Sequence, residues 1–174
     1  KFQTFKYMKR ILLTGGTGFV GSHTCLELLM NNFQVVLLDS FINSSSLCLK
    51  RIENVCKLKG IDIANKFHFV KGDMRDQNVI NKIFMEANSI GNPINAVVHF
   101  AGLKSISQSV IFPLDYWENN LISSINLLRA MDKNNCRNLI FSSSASIYQC
   151  GKIKLLNEKD KINPINPYSN TKYA

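Results

Sequence analysis

Apolar runs are short throughout the chain: the longest, such as Ile11 to Leu13 and Val35 to Leu38, fall far below the roughly twenty residues needed to cross a bilayer. The N-terminus also lacks a signal-like apolar stretch, so the expected compartment is the cytosol, without membrane association. The five cysteines, Cys25, Cys48, Cys56, Cys136 and Cys150, are odd in number and include no Cys-x-x-Cys pair. That spacing argues against a disulfide framework or a zinc knuckle and for reduced thiols. The histidines, His23, His68 and His99, stand far apart without helical ligand spacing, so each is read as structural and no metal is expected. Acidic residues are scarce, 12 against 21 Lys and Arg for a net charge of +9, but the basic residues never form a block of five or six. The excess is therefore read as a solvated basic surface, and nucleic acid is not expected as a partner. Asn43-Ser44-Ser45 matches a glycosylation sequon, a chance match in a cytosolic chain. With only 9 Gly and 4 Pro among 174 residues, and 45% hydrophobic residues, the composition is that of a globular domain able to bury roughly 70% of its unfolded surface.

Short β-branched and apolar runs alternate with segments of helical period, the signature of βαβ units and a mostly parallel, doubly wound α/β sheet. Strands are expected at Arg10 to Thr14, Gln34 to Asp39, Phe67 to Lys71, Ala96 to Ala101 and Leu139 to Ser142. All are apolar nearly throughout, as strands covered on both faces should be. Helices are expected at Phe19 to Met30, Leu47 to Lys59, Gln77 to Ala87 and Pro113 to Lys133, the last with a buried stripe of Leu121, Ile125, Leu128 and Met131. An irregular stretch from Gln149 to Asn166 leads to a final helix near Pro167, a favoured first-turn position for proline. Met8-Lys9-Arg10 reads as a translation start, leaving Lys1 to Tyr7 as a tag or extension and residues 8 to 174 as one α/β domain. Because the array stops one turn into a helix and leaves its last strand unpaired, it is expected to be part of a longer protein.

Gly15-Gly16-Thr17-Gly18-Phe19-Val20-Gly21 follows the first strand and opens the first helix. A turn there must be tight, must approach a pyrophosphate without Cβ atoms intervening, and must aim helix N–H groups at two negative charges. Two registers fit, G-x-G-x-x-G from Gly16 and G-x-x-G-x-x-G from Gly15, and spacing does not choose between them. Asp39, at the end of the second strand, stands where a carboxylate accepts from the adenosine ribose hydroxyls. It would repel a 2′-phosphate at about 4 Å by roughly 1 to 4 kcal/mol per pair of unit charges, so NAD is preferred to NADP.

Ser142-Ser143-Ser144 closes the fifth strand, and Tyr168 and Lys172 lie at i and i+4 on the final helix, sharing a face. A phenol acts as a base near neutrality only if its pKa falls by about three units, or roughly 4 kcal/mol. An ammonium one turn away supplies part of that, and a strand-end serine could hold the oxygen that loses its proton. Spacing does not decide which serine.

These residues resemble the extended short-chain dehydrogenase/reductase family, and within it the branch that 4-epimerises nucleotide sugars. The likeness runs through Thr14 to His23, Gly72 to Asp76, His99 to Lys104, Pro113 to Asn120, Phe141 to Ala145 and Asn166 to Lys172. It implies a Rossmann-type sheet cut short before its last strands, with a C-terminal UDP-sugar domain absent from this chain. By the same resemblance Gly15, Gly18 and Gly21 hold the pyrophosphate, flanked by Phe19 and Val20. Asp39 and Asn43 take the adenosine end, and Asp73 with Met74 the adenine. Phe100, Ala101, Gly102, Lys104, Asn119 and Ser142 line the rest, Ser144, Tyr168 and Lys172 are catalytic, and Tyr168 and Lys172 also touch the cofactor. The implied activity of the intact protein is NAD-dependent interconversion of UDP-glucose and UDP-galactose through a 4-keto sugar, a galactose-metabolism step, by a homodimer. This chain alone is expected to bind NAD at most. Two positions depart from the pattern: Ser40 replaces the usual Asn after the acidic residue, and Gln149 the usual Gly. The alternatives are a sister dehydratase or decarboxylase, or a non-catalytic NAD-binding module.

Overall fold

The computed structural model describes residues 8–148 and 155–174; the expectations for Lys1 to Tyr7, Gln149 and Cys150 lie outside that range. Five parallel strands form one sheet in the order β3-β2-β1-β4-β5. They are β1 (Arg10–Thr14), β2 (Gln34–Asp39), β3 (Phe67–Lys71), β4 (Ile94–His99) and β5 (Leu139–Phe141). Ile11 pairs with Val35 on one side and Ala96 on the other. The order reverses at β1, so the crossovers on either side of it leave a crevice above the carboxyl ends of β1 and β4.

Alternation along the central strands splits the core in two, because successive side chains point to opposite faces. Leu12, Val36, Leu38 and Val97 pack with Ile80, Ile83 and Phe84 of α3 (Gln77–Ser89) and Leu127, Ala130 and Met131 of α6 (Ser123–Lys133). Ile11, Leu13, Val35, Leu37 and Val98 pack on the other face with Cys25 and Leu29 of α1 (Phe19–Met30) and Ile52 and Cys56 of α2 (Leu47–Leu58). Each fully buried aliphatic or aromatic side chain contributes about 1.5–3 kcal/mol, which fixes the strand register and hence the crevice above it.

Three expectations are corrected. β3 and β5 are not covered on both faces: they are the two edge strands, β3 is only partly buried, and all three residues of β5 are exposed. β4 begins at Ile94 and ends at His99, because Phe100, whose N–H donates to the Thr14 carbonyl at 3.0 Å, starts the departure of the chain toward Gly102, at φ 151°. The long crossover is not one α-helix. A short α4 (Ile106–Ile111), not foreseen, precedes α5 (Pro113–Tyr116), a π-helical turn (Trp117–Ile122) and then α6. A π turn holds one residue more than an α turn, so it rotates everything downstream by about 100°. Ile125 and Leu128 therefore face outward, 37% and 50% exposed, while Asn126 and Leu127 face in. Among the described residues no helix is long and apolar enough to cross a membrane.

Candidate functional site

The glycine turn is built by close approach. Gly15 lies at φ 66°, and a Cβ there would sit 2.5 Å from the Ala101 nitrogen; one on Gly21 would collide with the Gly15 carbonyl oxygen. The first and third glycines of the Gly15 register thus bring β4 and α1 down onto the turn. Helix α1 starts at Gly18 with no side-chain cap, and Phe19 and Val20 are exposed. Its first N–H groups therefore face the crevice, where an anion would satisfy them.

Asp39 does more than end β2. Its carboxylate is nearly buried, 9% exposed, and accepts from the Thr17 N–H at 3.0 Å, the Phe41 N–H at 2.9 Å and the Ser44 hydroxyl at 3.1 Å. One acid thus ties the glycine turn to the β2–α2 loop, where Phe41 is held at φ 62°. After β3, Asp73 forms a two-pronged pair with Arg75, whose closest approach is 2.7 Å. That pair holds the Asp73 carboxyl below its usual range, through the Arg75 hydrogen bond first.

Between these elements lies an open cleft of about 170 Å³. Gly15, Gly18, Phe19, Val20 and Gly21 line it from the turn, and Asp39, Asn43, Asp73 and Met74 from the loops after β2 and β3. Phe100, Ala101, Gly102 and Lys104 contribute from the loop after β4, with Asn119 from the π turn and Ser142 after β5. The expected cofactor residues thus gather around one cleft, with two exceptions: Tyr168 and Lys172 are not on its wall. Both stand on α7 (Pro167–Tyr173), whose start is fixed by a capping box: the Ser169 N–H donates to Asn166 Oδ1 at 2.8 Å and the Asn166 N–H to Ser169 Oγ at 3.2 Å.

Lys172 reaches toward the cleft: its Nζ lies 3.7 Å from where a Cβ on Gly102 would be and 4.9 Å from the centre of the Phe141 ring. No carboxylate among the described residues pairs with it, and burial lowers its pKa. The Tyr168 ring stands edge-on to Tyr116, 6.4 Å between centroids. Ser144 does not join them: its Oγ caps a short 3-10 turn (Ala145–Ile147), accepting from the Ser146 N–H at 3.2 Å and lying 2.9 Å from the Ser146 hydroxyl.

Sequence reading missed the groups that hold α7 in place. Asn120, 4% exposed, accepts from the Leu103 N–H at 2.7 Å and donates to the Leu103 carbonyl at 3.0 Å and the Thr171 hydroxyl at 2.9 Å. Behind it His99 is 1% exposed, its Nδ1 2.6 Å from Thr14 Oγ1 and its Nε2 3.0 Å from Ser124 Oγ. Since the Ser124 hydroxyl donates to the Asn120 carbonyl at 2.7 Å, His99 supplies the proton between them, and the assigned tautomer is neutral with Nε2–H. Burial, and secondarily the Lys172 charge, lowers the His99 pKa to about 4. Leu38, Ser40, Ile42, Gly72, Leu103 and Ser123 also line the cleft; of these the sequence marks Ser40 as a departure and Gly72 and Leu103 as members of the resembling stretches, without a role for either. Neighbourhood to the expected residues is the one sequence signal these positions carry.

The profile of the family described as GDP-mannose 4,6 dehydratase matches residues 12–174. The chain belongs to this family. It is also 40% identical over 165 residues to the bifunctional UDP-glucose 4-epimerase and UDP-xylose 4-epimerase 1 of Pisum sativum, covering 94% of this chain and 45% of that protein. With the UDP-glucose 4-epimerase of Bacillus subtilis it shares 39% over 162 residues, 93% of this chain and 44% of that one. Among solved structures, the UDP-glucose 4-epimerase of Bifidobacterium longum in complex with NAD+ and UDP superposes with a TM-score of 0.83 at 37% identity, covering 95% of this chain and 46% of that one. The chain is therefore of the extended short-chain dehydrogenase/reductase type and spans about half the length of the relatives it matches.

Proposed function

We propose that the protein to which this chain belongs interconverts UDP-glucose and UDP-galactose, with NAD held in the cleft. The observation that carries this reading is the convergence on one cleft of the uncapped α1 terminus and the Asp39 carboxylate, with a lysine off its wall that reaches the lining Gly102 without an acidic partner among the described residues. The dinucleotide fits these groups: a pyrophosphate on the Gly18–Gly21 N–H groups, ribose hydroxyls on Asp39, adenine beside Asp73 and Met74, and the nicotinamide ribose near Lys172. A 2′-phosphate would meet Asp39, so NADP is disfavoured.

Bound NAD supplies the hydride acceptor at sugar C4 and, after the 4-keto sugar has turned over, the donor to its other face, leaving no net redox change. The chain's own groups move the proton. Tyr168 takes it from the 4-hydroxyl; Lys172, desolvated and unpaired, gains a counter-ion when the phenolate forms, which favours that state. Ser144 turns from Ser146 to hold the same sugar oxygen. Tyr168→Phe in the full-length protein is expected to cut turnover of UDP-galactose by at least about 100-fold with NAD still bound; full turnover would overturn the assignment.

The family's name favours a second reading, a nucleotide-sugar dehydratase. Expelling water needs an acid after β5, and Ser144-Ala145-Ser146 provides hydroxyls and a methyl instead. Incubation with UDP-galactose separates the readings: UDP-glucose supports epimerisation, a 4-keto-6-deoxy sugar the dehydratase, and no product a binding module. Cytosolic residence and a homodimer accompany the proposal, the latter supported by exposed Ile111, Leu114 and Ile125 along α4 to α6.

A further inference from the structure

Ser123 opens α6 at the end of the π turn and is 4% exposed, yet its hydroxyl has no hydrogen-bond partner among the described residues, whereas that of its neighbour Ser124 is fully used. No buried side-chain polar atom among the described residues lacks a partner, so the unpaired Ser123 hydroxyl is open to the cleft it lines and has its proton to donate there. Its place along the cleft is set by the next turn of the same helix: Asn126 donates to the Arg75 carbonyl at 2.8 Å and the Met74 carbonyl at 3.4 Å. Asn119, one turn earlier on the same side, also lines the cleft. Ser123 thus shares this part of the cleft with the Asp73–Met74 loop.

We infer that the Ser123 hydroxyl binds the adenine base of the dinucleotide, donating to a ring nitrogen while Asp73 accepts from the exocyclic amino group. The inference rests on the reading of the cleft as an NAD site. Asp73 is suited to that share: although Arg75 occupies both its oxygens, a carboxylate has about four acceptor positions. An amino donor beside a ring-nitrogen acceptor is the pattern of adenine, and the carboxylate and hydroxyl complement it. Nothing in the glycine or Tyr-Lys motifs points to residue 123; the π turn and the tie from Asn126 place it there.

Titration calorimetry of the full chain with NAD, AMP and nicotinamide mononucleotide tests this. Ser123→Ala is expected to weaken NAD and AMP by about 3- to 10-fold, the worth of one neutral hydrogen bond, and to leave the mononucleotide, which lacks adenine, unchanged. Ser123→Thr, which keeps the hydroxyl, should retain most of the affinity. An unchanged melting temperature shows that the fold is intact. Equal NAD affinity in wild type and Ser123→Ala overturns the assignment alone. A folded wild-type chain that binds neither NAD nor AMP overturns the cofactor reading and the assignment together.

Discussion

Glycines of the turn are not equivalent. At Gly15 a methyl group would meet both the φ of 66° and the Ala101 backbone, which cannot move without dragging β4, whereas at Gly18 it would meet only the Gly15 carbonyl at 3.3 Å. Gly15→Ala is expected to cost at least about 2 kcal/mol in urea unfolding, the left-handed penalty plus the backbone clash. Gly18→Ala should cost about 1 kcal/mol or less. His99 gives a pH signature. Its native pKa, about 4, lies below the ordinary 6.5, so between those values the unfolded chain binds more protons and stability falls as the medium is acidified. The loss amounts to roughly 3 kcal/mol from pH 7 to below 4. His99→Gln should flatten that part of the stability profile in denaturant titrations, while Asp73, also depressed, still contributes acid lability in both proteins. A variant profile that parallels the wild type would refute the buried neutral imidazole.

At the scale of elements, α7 is short, and its seat depends on one side chain. Helices of this length are unstable alone, and α7 packs on the π turn and α4 with Asn120 bridging Leu103 to Thr171. Asn120→Ala leaves two backbone groups and a hydroxyl short of a partner and is expected to cost about 2–4 kcal/mol. Amide exchange should rise across Pro167–Tyr173 and at Leu103 while β1 stays protected; a uniform change would mean that Asn120 is not the local latch. The positions of Tyr168 and Lys172 were legible from an i, i+4 spacing and a proline at the first turn, both local properties. The latch was not, because it joins residues 51 positions apart and depends on a π turn that the apolar pattern of Leu121, Ile125 and Leu128 contradicts.

Over the whole molecule, the sheet is covered well at its centre and poorly at its ends. β5 presents Leu139, Ile140 and Phe141 at 37%, 63% and 39% exposure on an unpaired edge, the arrangement that templates association with another chain. The 174-residue chain should therefore elute at a higher apparent mass as its concentration rises. Ile140→Lys should suppress this without lowering the melting temperature, since it removes an exposed apolar side chain and adds charge to an edge. Concentration-independent elution of the unmodified chain would show that this edge does not drive association.

Local chemistry was enough for the sequence to determine the βαβ order, the glycine turn at the first strand-to-helix junction, the carboxylate closing β2 and the phenol–ammonium pair on the final helix. Each depends on periodicity, on residue type at a fixed offset, or on backbone freedom within a few positions. Only tertiary structure decided which glycine register sits in the tight turn, which strands become bare edges, where Ser144 points, and that Asn120, Ser123 and His99 belong to the site. Those outcomes follow from contacts between segments far apart in the chain, and from a π turn whose added residue reassigns every helix face beyond it.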